Sequence, residues 1–104
     1  MPALLVFTTA PDIKTARKIA RSLVTQNLAA CVSLSDKTES FYLWKDRLER
    51  KREVVVLIKT MKEKYKRLET FLKKLHPYEL PEILAVPVSK GEKRYLSWVR
   101  KSLI

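Results

Sequence analysis

Apolar and polar positions change period several times along the chain, and each change marks an element. Residues 3–9 form a short run of strand formers closed by Pro11, which predicts a buried strand. Behind a potential cap at Asp12, Ala16, Ile19, Ala20, Leu23 and Val24 then recur on one helical face. Arg17, Lys18 and Arg21 occupy the opposite face, as on a solvated helix surface. Residues 29–34 return to strand character and include Cys31. After a polar interval, residues 40–44 (Ser-Phe-Tyr-Leu-Trp) read as a strand and Lys45-Asp46-Arg47 as a turn, because aspartate tolerates left-handed backbone better than most non-glycine residues. Residues 48–60 run back as a long strand, completing a hairpin.

Two features of this hairpin reach beyond local structure. Its arms each exceed ten residues, against a usual strand length of about five or six, so they should project past the sheet that pairs them. Val54-Val55-Val56-Leu57-Ile58 is apolar at odd and even positions alike. Successive strand side chains face opposite sides of a sheet, so both faces need cover. Helices on one side leave the other needing a partner, which predicts a homo-oligomer.

Thr60-Met61-Lys62-Glu63 fits a capping box. Met61, Tyr65, Leu68, Leu72 and Leu75 then repeat at four-and-three spacing, the stripe of a core-facing helix. A connector, residues 76–83, follows. Residues 83–88 read as a strand that Pro87 assigns to an edge or a bulge. A last helix starts at residues 89–91, with Tyr95, Leu96, Val99 and Leu103 on its apolar side. The order is that of a single α+β domain over residues 1–104, a ferredoxin-like βαββαβ sandwich with an extra C-terminal helix.

Composition narrows the function. One glycine, Gly91, excludes phosphate-cradling loops, which need several. Lys and Arg outnumber Asp and Glu by 22 to 11, giving a formal net charge of +11 and attraction to anions of some kind. Cys31 is the sole cysteine, so no intrachain disulfide forms and a reducing compartment fits. The opening apolar run lacks the basic flank and length of a signal peptide, and nothing spans a membrane. These features predict a soluble cytoplasmic protein.

The chemistry concentrates in the connector His76-Pro77-Tyr78-Glu79-Leu80-Pro81-Glu82-Ile83. It holds the only histidine, two of the five prolines, a tyrosine and two carboxylates. Each proline pushes its predecessor toward extended backbone, so the segment should be stiff and its polar groups held with little freedom to lose. The competing structural reading is a helix stop, with His76 favoured beside a helix C-terminus. Cys31 on a strand is likewise ordinarily a small buried hydrophobe. One subunit offers His76 and Cys31 as nitrogen and sulfur donors for a metal, with Tyr78, Glu79 and Glu82 as oxygen donors.

A resemblance rests on pieces running almost end to end: Thr9-Ala10-Pro11-Asp12, Leu28-Ala29-Ala30-Cys31-Val32, Tyr42 with Trp44 before the turn, Lys59-Thr60, His76-Pro77-Tyr78-Glu79 with Pro81-Glu82-Ile83, and Tyr95-Leu96-Ser97-Trp98. On these the chain resembles the CutA family, named for divalent-cation tolerance. The resemblance implies a trimer in which hairpin arms and edge strands of neighbouring subunits pair, similar in architecture to the PII signalling proteins. It implies a ligand cleft between subunits near Cys31, Trp44, Lys59, His76, Tyr78 and Glu82, copper or another divalent cation as ligand, and no established reaction. The chain departs from the family pattern at Lys45-Asp46, where relatives usually have glycine second, and at residues 49–53, basic at the centre where relatives tend to be acidic. Some relatives hold copper with a cysteine and a second histidine at the positions of Thr8 and Leu75; here His76 alone remains.

The function predicted is a trimeric cation-tolerance protein, or PII-like sensor, binding a cation at His76 and Cys31 or a small anionic ligand at Lys59 and His76. The alternative is a basic nucleic-acid-binding module, which lacks the glycine-aromatic run of RNA-recognition motifs. An enzyme with His76 as base and Glu82 orienting it ranks last, since no nucleophile or oxyanion-forming stretch accompanies them.

Overall fold

A computed structural model describes residues 2–104. The elements are β1 (Ala3–Ala10), α1 (Ile13–Thr25), β2 (Cys31–Trp44), β3 (Arg47–Met61), a 3-10 turn (Lys62–Lys64), α2 (Tyr65–Leu75), β4 (Leu84–Pro87) and α3 (Lys93–Ser102). The strands form one sheet in the order β2-β3-β1-β4, with every neighbouring pair antiparallel. α1 therefore carries the chain from β1 over β3 to β2, while α2 carries it from β3 over β1 to β4. Pro87 lies on the edge strand, where its missing N–H breaks no ladder. No helix of the described residues is long and apolar enough to cross a membrane.

The core lies between one sheet face and helices α1 and α2. Val6 and Ala10 of β1 and Val54, Val56 and Ile58 of β3 meet Ile19, Leu23, Leu68 and Leu72, all essentially inaccessible to water. Each of the larger side chains contributes about 1.5–3 kcal/mol by leaving water. The intervening residues face the other way. Cross-strand pairing sets Val86, Leu5, Lys59 and Cys31 in one row of that second face, and Leu84, Phe7, Leu57 and Ser33 in the next. Only its end is covered: Val99 of α3 and Leu103 just beyond it pack on Met61 and Ala3. Leu84 remains 60% exposed and Val86 45%.

Local rules account for the element ends. Asp12 Oδ1 accepts from the Thr15 amide at 2.7 Å, the cap expected from sequence. α1 stops in a Schellman motif: Leu28 N–H reaches the Leu23 carbonyl, Asn27 N–H reaches that of Val24, and Asn27 sits left-handed at φ 61. Asn27 Nδ2 also donates to the Leu103 carbonyl at 3.3 Å, tying this turn to the C-terminal end.

Three expectations are corrected. Thr60 does not cap a helix: it is still in β3, paired with Leu4, and its buried hydroxyl donates to the Leu28 carbonyl at 2.7 Å. The tertiary acceptor outcompetes the local one, and the chain enters α2 through the 3-10 turn without a side-chain cap. The last helix begins at Lys93, capped by Glu92, whose Oε1 accepts from the Tyr95 amide. The polar interval before residue 40 is not a break, because β2 runs through it with a bulge.

Candidate functional site

The hairpin and the connector together enclose a concavity. β2 and β3 extend to 14 and 15 residues and carry the molecule to 45 Å along its long axis. They close on Lys45 (φ 52) and Asp46 (φ 64), a two-residue loop with both centres left-handed, the twist-matched geometry for hairpins. Between Ser35 and Thr38 the pairing slips: three steps on β2 match two on β3, with Lys37 at φ 66. The bulge reverses which side chains face which way. Beyond it, Tyr42 and Trp44, not Phe41 and Leu43, stand opposite Glu49 and Arg47 on the face that carries Glu53.

The connector returns over this same face. α2 ends at Leu75, and Pro77 holds His76 extended (φ −77, ψ 135), as the sequence requires. His76 is buried, and both of its ring nitrogens are engaged. Nε2 lies 2.6 Å from the Thr9 carbonyl oxygen, while Nδ1 accepts from the Tyr78 amide at 3.1 Å. A carbonyl only accepts and an amide N–H only donates, so the partners assign the neutral Nε2–H tautomer. The imidazole thus pins the connector to β1. Tyr78 is aimed at the hairpin, where its hydroxyl donates to Glu53 Oε2 at 2.7 Å and Lys51 Nζ sits 5.2 Å from its ring centre. Burial, and then the Glu53 carboxylate, push the phenol well above its ordinary range, so it remains a donor.

A groove of about 880 Å3 opens between hairpin and connector. Thr9, Tyr42 and Trp44 contribute to its walls, as do Tyr78, Pro81 and Glu82. Its charge is opposite to that of the chain: Glu49, Glu53, Glu79 and Glu82 line it against a single cation, Lys51. Sequence reasoning missed Glu49, Glu53 and Lys51. Glu53 had one legible signal, a lone acid where a basic run meets an apolar one.

The residues expected to share one cleft divide into two groups within the subunit. Trp44, Tyr78 and Glu82 line the groove, and His76 supports it from beneath. Cys31 and Lys59 pair at the opposite end of the sheet, where Lys59 Nζ donates to Ser33 Oγ at 2.8 Å and lies 3.8 Å from Cys31 Sγ. Cys31 is level with Leu5 and His76 with Thr9, four residues further along β1, a separation of roughly 13 Å along the strand alone. Among the described residues, no three His, Cys, Asp or Glu side chains converge as a metal site. The donors of one subunit therefore do not fit a resident copper ion. Thr8 lies on the core face, fully buried and with its hydroxyl unpartnered among the described residues.

Comparison with known proteins agrees along the whole chain. A family model described as CutA1 divalent ion tolerance protein matches residues 4–102. The divalent-cation tolerance protein CutA of Pectobacterium atrosepticum is 44% identical over 101 residues, covering 97% of this chain and 92% of that protein. The crystal structure of CutA from Xylella fastidiosa superposes with a TM-score of 0.96 at 40% identity, covering 98% of each chain. That of the periplasmic divalent cation tolerance protein CutA from Archaeoglobus fulgidus does so at 0.95 and 31%, covering 98% of this chain and 99% of that one. The chain belongs to the CutA1 divalent ion tolerance family.

Proposed function

We propose that this protein serves divalent-cation tolerance as a cytoplasmic homotrimer of ferredoxin-like subunits, taking up the cation as ligand in the groove between hairpin and connector. One observation carries the reading: on a chain of net charge +11, the groove between hairpin and connector presents four carboxylates and one ammonium. Oxygen donors of this kind suit hard or borderline divalent cations, and a negative groove concentrates them. It also disfavours the anionic ligand suggested by Lys59 and His76, since Lys59 lies elsewhere and His76 presents no free donor. A neighbouring subunit would supply the remaining ligands.

Trimerisation is supported by what the subunit leaves uncovered. The second sheet face carries Leu84 and Val86, and the projecting hairpin exposes Phe41 (62%), Leu43 (71%) and Leu48 (73%). Leu84 with Val86, and Phe41 with Leu43 and Leu48, form two separate apolar patches, and exposed patches of this kind mark surfaces that a partner covers. A cleft completed by a neighbour also gives the PII-like reading its physical basis, because occupancy would change the contact between subunits.

Titration calorimetry with Cu(II), Cu(I) and Zn(II) tests the proposal on the wild type, Glu79→Gln/Glu82→Gln and His76→Ala. Saturable binding at a fixed number per trimer, weakened by about tenfold in the carboxylate variant, is expected. Weak, unsaturable binding that neither variant changes sinks it. Loss with His76→Ala alone moves the site from the carboxylates to the imidazole.

A further inference from the structure

The charge of this protein is segregated. α1 contributes Lys14, Arg17, Lys18 and Arg21 with no acid, and α2 contributes Lys66, Arg67, Lys73 and Lys74 with Glu69 alone. This helix layer, on the far side of the sheet from the acidic groove, thus holds seven of the eleven net positive charges. Among the described residues the ion pairs are Arg50–Glu39 and Arg94–Glu92, so none of these eight cations is neutralised by a carboxylate within 4 Å. Glu69 is engaged by the Tyr65 hydroxyl at 3.0 Å.

One hollow of about 440 Å3 interrupts this surface, where the end of α1 meets α2. Phe71, with the almost wholly covered Leu28 beneath, gives it an apolar floor, and Lys66, Arg67 and Lys74 line it with no acid. Lys66, Thr70 and Lys74 recur every fourth residue and so share one ridge of α2, with its end charges about 12 Å apart. A single phosphate cannot span that distance. Phe71 is partly buried against the core, and its remaining exposed area is the apolar part of the hollow.

We infer that this hollow docks an acidic peptide segment carrying one apolar side chain. The apolar residue sits on Phe71, and its flanking carboxylates meet Lys66, Arg67 and Lys74. The pairing is complementary in both charge and polarity, and it engages a face independent of the cation groove.

The test is fluorescence anisotropy on the full-length protein in about 0.15 M salt. The probe is a labelled ten-residue Asp/Glu peptide with a central leucine, compared with the same peptide bearing serine there. Saturable binding of one peptide per subunit is expected, weaker by about tenfold or more for the serine peptide and for Lys66→Gln/Arg67→Gln/Lys74→Gln. All three positions are exposed, so the variant keeps its fold. Arg17→Gln/Lys18→Gln/Arg21→Gln, which removes the same charge outside the hollow, should stay within about twofold. Absence of saturable binding overturns the proposal, as does an equal loss in both variants. Equal affinity for the serine peptide, or tighter binding to a single-stranded oligonucleotide or phosphatidylserine vesicles, assigns the surface to another polyanion.

Discussion

Asn27 and Tyr78 show how single residues hold the fold and the site: Asn27 the end of a helix, Tyr78 the groove. Asn27 occupies left-handed backbone at the end of α1 and reaches across to Leu103. Asn27→Gly keeps the backbone geometry and loses the side-chain bond, so it should cost about 1 kcal/mol. Asn27→Ala adds the left-handed penalty, about 1 kcal/mol more, and denaturant unfolding separates the two. Tyr78 joins connector to hairpin through Glu53. Because its phenol is held above the ordinary value of 10.0, the unfolded chain gives up that proton first. Its contribution is therefore full below that value and fades as pH rises toward the higher folded-state pKa. Tyr78→Phe should lower neutral-pH stability by about 1–3 kcal/mol, by stranding the buried Glu53 acceptor, and flatten the alkaline decline. An unchanged alkaline limb in that variant would shift the effect to Tyr65, whose phenol burial and Glu69 also push upward.

At the scale of elements, the hairpin is the part whose geometry the site depends on. Its turn places Lys45 and Asp46 in left-handed backbone without glycine, which strains both. Lys45→Asn/Asp46→Gly supplies the residues this turn type favours and should raise stability by about 1 kcal/mol. No gain in the unfolding midpoint would mean that Lys45, 5.9 Å from the centre of the Trp44 ring, offsets the strain through that contact. Sequence showed the hairpin and its length; it did not show the bulge. An extra residue at 36–37 leaves no hydrophobic signature, because the interval is polar on both faces, yet it decides that Tyr42 and Trp44 share a face with Glu53. The capping box failed for a related reason. Thr60 matched a local motif, but Leu28, 32 positions away in the chain, offered a buried acceptor.

For the whole molecule, the uncovered sheet face and the opposed charges of its two sides set the expectations. Leu84 and Val86 are exposed in the subunit, so Leu84→Asp/Val86→Asp should leave secondary structure intact while splitting the proposed trimer. Sedimentation velocity reads this directly: the variant should run at monomer mass with unchanged far-ultraviolet dichroism. A variant still at trimer mass would place the interface on the hairpin alone. The split protein should also lose the cation affinity proposed for a shared cleft, while peptide docking on the helix layer continues.

The sequence by itself determined the order of elements, the edge position of Pro87, the extended backbone at His76 and the apolar character of both faces at Val54–Ile58. Each follows from hydrophobic period or from the backbone limits of proline, which act within a few residues. It also carried the family resemblance, since the matching pieces keep their order. Only the tertiary structure decided which functional side chains meet. It joined Tyr78 to Glu53, tied both imidazole nitrogens of His76 to backbone groups, and set Cys31 and Lys59 apart from them. Those outcomes depend on strand register and on one bulge, and a shift of a single residue reverses every facing side chain without altering the pattern from which the strands were read.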